Sequence, residues 1–192
     1  MTIRSCQKIL AYLSVSLLLA ACSTSAVNTP ETIAKTIAQA IINSDKTSFE
    51  KYIINQDVAI QMFQQLIVSA KKDELYKQRL PKLEKELTTL KTNSNATLAR
   101  VRSRVIASFE TINKHAKRDG VDLSKGTFGK VIDIRSNKYL DRIKYDIYFT
   151  INTDGTAYTI KLNNVVTVSD KLYLLNAMIW KGKNEKLITK SK

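Results

Sequence analysis

The hydrophobic period of this chain changes once, at Asp119-Gly120, and that change limits what it can fold into. Before it, apolar residues recur every three or four positions; after it, they alternate. The first spacing lines one face of a helix and the second lines one face of a strand. A block of helices followed by a block of strands predicts an α+β chain, with the helices laid on one face of an antiparallel sheet.

The helical block begins at Thr29-Pro30-Glu31, where Thr is suited to the N-cap, Pro to the first helical position and Glu to the first turn. Ile33, Ile37, Ala40 and Ile41 share a face, and Asn43-Ser44 ends the helix. Ser48 is expected to cap a short second helix over Phe49–Ile54, anchored by Phe49, Tyr52 and Ile53. From Asp57 the stripe Ala59, Met62, Phe63, Leu66, Ile67 and Ala70 continues, after an interruption at Pro81, through Leu83, Leu87 and Leu90. Thr92-Asn93-Ser94-Asn95 reads as a break. Leu98, Val101, Val105, Phe109 and Ile112 form the next stripe. The two long segments are expected to fold as an antiparallel hairpin with the Asn/Ser cluster near its tip.

After Gly120, Thr127–Arg135 reads as a first strand. In the second, Ile143, Tyr145, Ile147, Phe149 and Ile151 alternate with Lys144, Asp146, Tyr148 and Thr150. Asp154-Gly155 is a hairpin turn signal. A third strand runs from Tyr158 to Val168, Ser169-Asp170-Lys171 turns the chain, and Leu172–Trp180 is expected as one fourth strand. The lysine-rich residues 181–192 read as a frayed tail.

Ahead of this domain stands a short basic start with Arg4 and Lys8, then an apolar run of 13 residues, Ile9–Ala21, ending in Leu19-Ala20-Ala21-Cys22. A membrane span wants about 20 such residues. A basic start, a short apolar middle and small residues before a cut predict a cleaved leader over 1–21. Leu-Ala-Ala-Cys resembles the lipobox of bacterial lipoproteins. That resemblance implies diacylation of Cys22 as the first mature residue, with residues 22–28 as a flexible tether. Ser23 in place of aspartate implies, by the same likeness, release to the outer membrane, facing the periplasm. Cys6 leaves with the leader, so no mature thiol other than Cys22 remains for a disulfide or a metal.

The full chain carries a formal charge of +14, and a leader cut before Cys22 would lower it to +12. The excess sits in two places. Lys71–Arg118 holds 13 Lys/Arg against 5 Asp/Glu, and Lys181–Lys192 holds 5 lysines against Glu185. In the cytosol such clusters would point to nucleic acid. A protein anchored in the envelope meets phospholipid headgroups, lipopolysaccharide phosphates and wall polymers instead, and nucleic acid is not an expected partner. Arg100, Arg102, Arg104, Lys114, Lys117 and Arg118 are the candidate contacts with an anionic envelope component or an envelope protein; a solvated face that only maintains solubility is the plainer alternative.

The order of elements resembles the nuclear transport factor two-like, or cystatin-like, superfamily. The likeness rests on Thr29-Pro30-Glu31 opening a first helix, on Asn43-Ser44-Asp45 before Phe49-Glu50-Lys51-Tyr52, and on Ile143–Ile151 running into Asp154-Gly155. It also rests on Val165–Val168, a turn and Lys171-Leu172-Tyr173-Leu174-Leu175 as the closing strand. It implies a curved sheet with an apolar pocket, and it does not cover Gln56–Arg118. The expected architecture is therefore N-terminal helices, including a long helical hairpin, on a curved C-terminal antiparallel sheet of about four strands. This is one domain over 29–180 with a helical insertion at 57–118.

No catalytic motif emerges. His115 stands among Lys114, Lys117 and Arg118 at a helix end, a setting for a solvated cation rather than a base. Superfamily isomerases use a pocket aspartate; Asp146 is out of phase with its strand's apolar face, Asp154 belongs to a turn, and Asp133 could point inward or pair with lysine on the surface. Tyr145, Tyr158, Tyr173 and Trp180 could line a pocket or simply fill a core. Gly126-Thr127-Phe128-Gly129-Lys130 lacks the length and the Ser/Thr of a phosphate loop. No cofactor or metal is expected. The sequence reads first as a non-enzymatic lipid-anchored binding or structural module of an envelope assembly. The alternative is a small apolar-ligand binder or isomerase-like enzyme using the pocket.

Overall fold

The computed structural model describes residues 28–92, 96–140 and 142–184; the leader, Cys22, most of the tether and residues 185–192 lie outside them. The chain is α+β. Helix α1, Pro30–Ile42, opens as its sequence predicts: the Thr29 hydroxyl accepts the Thr32 amide at 3.2 Å, and Ile33, Ile37, Ala40 and Ile41 are buried. Helix α2, Lys46–Glu50, starts earlier than expected. Asp45 caps it by accepting the Ser48 amide at 3.0 Å, so Ser48 lies inside the first turn instead of capping it.

The long helical stretch breaks into α3 (Gln56–Lys72), α4 (Glu74–Lys77), α5 (Leu80–Thr92) and α6 (Ala96–Arg118). Pro81 does not interrupt a helix. It lies in the first turn of α5, where no intrahelical amide is needed, and the break falls earlier, at Asp73, which closes α3 and caps α4. The hairpin also differs from expectation. It is formed by α3 and α5: the Gln56 side chain at the start of α3 donates to the Leu90 carbonyl near the end of α5 at 2.7 Å. Its turn is at residues 73–79, not at the Asn/Ser cluster, whose Asn93–Asn95 lie outside the described residues. Helix α6 is not an arm of that hairpin. Val105, Phe109, Ile112 and Ala116 enter the main core, and the Phe109 ring meets Phe49 of α2 at 4.9 Å. No described helix is long and apolar enough to cross a membrane.

Strands β1 (Thr127–Tyr139), β2 (Arg142–Thr153), β3 (Thr156–Val168), β4 (Lys171–Leu174) and β5 (Ile179–Lys183) form one open antiparallel sheet, ordered β1-β2-β3-β4, with β5 also on β3. Asp154 and Gly155 both take positive φ, 50° and 71°, as a two-residue turn between right-twisted strands demands. The expected fourth strand is two strands. β4 pairs with the second half of β3, the chain leaves the sheet at residues 175–178, and β5 pairs with the first half. Asn164 causes the break: at φ 54° it bulges β3, and its carbonyl accepts the Leu175 amide at 3.1 Å. Residues 181–183 are therefore ordered strand rather than frayed tail, and the Asn184 amide donates to the Ala157 carbonyl at 2.8 Å.

In β2, Ile147, Phe149 and Ile151 are fully buried in the main core as the alternation predicts, but Thr150 between them is buried too, where its hydroxyl accepts the Lys130 amide of β1 at 3.2 Å. Ile143 also departs from the alternation: 40 % exposed, it lies outside the main core. At the β3–β4 end both faces are covered. Val165, Leu172 and Leu174 join the main core, while the intervening Val166, Val168 and Tyr173 pack with Val58 and Ala59 of α3, Leu90 of α5 and Leu98 of α6. Ile53, bridged to Leu174, and Ile54 divide between the same two clusters and cover the edge of β4.

Candidate functional site

Helix α6 carries six Lys/Arg and one acid. Its buried side is Val105, Ser108, Phe109, Ile112 and Ala116. Arg100, Arg104, Lys114 and Arg118 are exposed on the other side. At 3.6 residues per turn these four fall within about 80° of one another, and at 1.5 Å per residue they extend over about 27 Å. The only acid on the helix, Glu110, is engaged by Lys46 at 3.4 Å.

Two sequence candidates depart from this face. Arg102 is half-buried on the other side of the helix, and its guanidinium donates to the Ile54 carbonyl at 3.3 Å, so it tethers α6 to the chain before α3. Lys117 is exposed but stands to one side, over a cleft of about 630 Å³ that it lines with Ser44, Asn113, Gly120, Asp122 and Ser124. Arg118 leans on Asp119 at 3.3 Å. Asp119 also accepts the Trp180 indole N–H at 2.7 Å; that bond, helped by Arg118, holds its carboxyl below the usual carboxylate range. His115 is half-buried one turn before the end of α6.

The four aromatic candidates do not share a chamber. Tyr158 stacks on Trp180, with ring centroids 5.6 Å apart, and both meet the main core together with Tyr145. Tyr173 belongs to the second cluster, on the opposite face of the sheet. The acids are equally dispersed. Asp133 pairs with Arg135 at 2.8 Å on the solvent side of β1. Asp146 meets Lys161 at 2.7 Å and accepts the Asn164 amide at 3.0 Å. Burial acts to raise Asp146, but that amide and the ammonium outweigh it and keep its carboxyl below its ordinary value. Between these pairs the Tyr148 ring lies 5.1 Å from the Arg135 guanidinium and 5.4 Å from the Lys161 ammonium. Among the described residues no three His, Cys, Asp or Glu side chains gather as a metal site would require.

Several structurally important residues carry no sequence signal. Ser108 lies on the buried side of α6 and accepts the Met178 amide at 3.0 Å, satisfying the backbone where the edge strand is interrupted. Arg142 is buried; it donates to the Thr167 carbonyl at 2.8 Å, the Met62 carbonyl at 3.1 Å and the Gln65 side chain, tying α3 to the sheet. In sequence it is one more arginine beside a turn. No family model, curated protein or solved structure matches this chain.

Proposed function

We propose that this protein is a bacterial envelope lipoprotein, anchored by diacylated Cys22 in the outer membrane and facing the periplasm, that works as a non-enzymatic binding module. Its contact surface is the cationic face of α6, and what that face meets is the anionic membrane surface to which the anchor confines it. The observation that carries this reading is the division of α6: one side sunk in the main core, the other presenting Arg100, Arg104, Lys114 and Arg118, with its single acid already engaged. A rigid helix fixes the spacing of those charges, so less order has to be imposed on binding than on a loop. Each cation near an anionic surface contributes about 1 kcal/mol, enough to orient a domain already held by lipid.

We infer that the domain is a divergent nuclear transport factor two-like member. Helices preceding a bulged antiparallel sheet support this, as does the pairing of Ile53 with the closing strand. The filled inner face of the sheet, with Ile147, Phe149, Ile151, Ile160 and Leu162 fully buried, and the outward pairing of Asp133 favour a structural core over a ligand chamber.

Loss of palmitate incorporation in Cys22→Ser tests the anchor. For the surface, residues 22–192 carrying Cys22→Ser are sedimented with phosphatidylglycerol vesicles. Arg100→Gln with Arg104→Gln is expected to weaken binding about thirtyfold in low salt, two cations being removed, and to matter less in high salt as screening shortens the reach of charge. Equal binding by both proteins in low salt removes α6 as the contact.

A further inference from the structure

The described structure exposes four large apolar side chains, and three of them collect at one end of the molecule. Val68 is 54 % exposed at the end of α3, Leu75 77 % exposed in α4, and Ile143 40 % exposed at the start of β2. The elements that carry them are locked together. The Tyr76 and Tyr139 rings meet edge to face at 5.5 Å, the Arg79 guanidinium lies within 5.6 Å of both, and it donates to the Tyr139 hydroxyl at 2.9 Å. Below them Leu66, Ile67, Ala70 and Leu83 pack with Leu140. Ile143 and Gln65 line one cleft, and Val68 stands one helical turn beyond Gln65. The exposed apolar groups thus sit on a braced tip rather than a loose loop.

The exposed charges around them are mostly positive. Lys71, Lys72, Lys138 and Lys144 are exposed at the same end. Three carboxylates lie nearby: Asp73 accepts the Leu75 amide at 3.0 Å, Glu74 meets Lys77, and Asp170 lines the cleft of Ile143 and Gln65. Exposed apolar side chains flanked by lysines are what an anionic bilayer interface accommodates, since the apolar groups reach the acyl boundary while ammonium groups remain among the headgroups. A protein partner fits less well, because the cores of protein interfaces are depleted in lysine.

We infer that the α3–α4 turn is a membrane-insertion tip, with Leu75 its leading residue and Lys71 and Lys72 its headgroup contacts, and that its occupant is an anionic lipid bilayer. The inference rests on the reading that this protein works at a membrane surface, but it concerns a different face from α6. It also separates two contributions: α6 supplies charge without exposed apolar groups, and the tip supplies both.

Trp180 is the only tryptophan in the chain and is buried, so subtracting the emission of the unsubstituted protein leaves the signal of a tryptophan added at the tip. The test is Leu75→Trp in the full lipidated protein, reconstituted in phosphatidylglycerol vesicles with brominated acyl chains, with Lys35→Trp on exposed α1 as the reference. Leu75→Trp is expected to emit further to the blue and to be quenched at least about twofold more than Lys35→Trp; adding Lys71→Gln and Lys72→Gln is expected to lower the ratio of inserted to free tip about thirtyfold. Water-like emission from Leu75→Trp, which leaves the tip to a protein partner, overturns the inference. So does equal quenching at both positions, or equal insertion into phosphatidylcholine alone. Mass analysis of the Cys22 peptide reads the anchor separately, and vesicles added to an unmodified chain still report on the tip. Failure of the anchor and failure of the tip are thereby told apart.

Discussion

Helix α6 and the α3–α5 hairpin are written in the same terms, an apolar stripe at helical spacing on a background of lysine and arginine, yet they do different things in the fold. The stripe of α6 lies against residues far away in sequence: Phe49, the link between β4 and β5 at Met178, and Trp180 beside its end. The stripes of α3 and α5 are divided: Val58, Ala59 and Leu90 pack on Val166 and Val168 of β3, whereas Leu66, Ile67, Ala70 and Leu83 lie against each other and the β1–β2 turn, in a cluster separate from the main core. A helix becomes part of the core by what it meets, not by how amphipathic it is. The hairpin keeps a few apolar side chains in solvent, whereas the outward side of α6 is polar and charged.

If that contrast is real, truncations in the two regions should unfold different amounts of the protein. The largest effect is expected from Phe109→Ala in α6, about 3–5 kcal/mol of global stability, read by chemical denaturation, because a buried ring against Phe49 is replaced by a cavity. Leu83→Ala at the centre of the hairpin cluster removes a comparable volume, about 2–3 kcal/mol locally. It should appear chiefly as faster amide exchange over α3–α5, with the sheet amides still protected. Equal loss of protection in the sheet would mean that the hairpin and the core unfold as one unit, and would erase the distinction.

Ser108→Ala should cost about 1–2 kcal/mol, since it leaves the Met178 amide buried without its acceptor. The loss should be accompanied by faster exchange at residues 176–180; a change confined to the hairpin would contradict the placement of α6.

The smallest effect is in pH. The Asp119 carboxyl is held below its ordinary value of 3.8, first by the Trp180 indole N–H. A carboxylate with a depressed folded pKa contributes stability that is complete above the unfolded value and is lost as pH falls through the folded one. The clasp between α6 and β5 should therefore be intact above about pH 4 and loosen below it, with Trp180 emission as the readout. In Asp119→Asn that transition should be absent; an unchanged acid transition would assign it to another carboxylate.

Much of the fold was legible in the sequence because its causes are local. The cap at Thr29, the alternation through Ile147, Phe149 and Ile151, and the turn at Asp154-Gly155 each depend on a handful of neighbouring residues whose backbone preferences are strong. The interruption of the last strand was not legible. It arises because Asn164 bulges the partner strand, and nothing within Leu172–Trp180 records that. The hairpin was misassigned for a related reason: an apolar stripe states that a helix face will be buried but not which surface buries it.

The candidate site divides in the same way. The sequence by itself determined the total charge, its concentration in Lys71–Arg118, and the spacing that places Arg100 and Arg104 on one helix face, since these follow from composition and from the pitch of a helix. Only the tertiary structure decided that Arg102 turns back to the Ile54 carbonyl, that Glu110 is taken up by Lys46, and that Leu75 is left in solvent beside lysines. Those outcomes depend on which side chains arrive from distant parts of the chain, and arrival is set by packing of the whole rather than by the order of residues in any one segment.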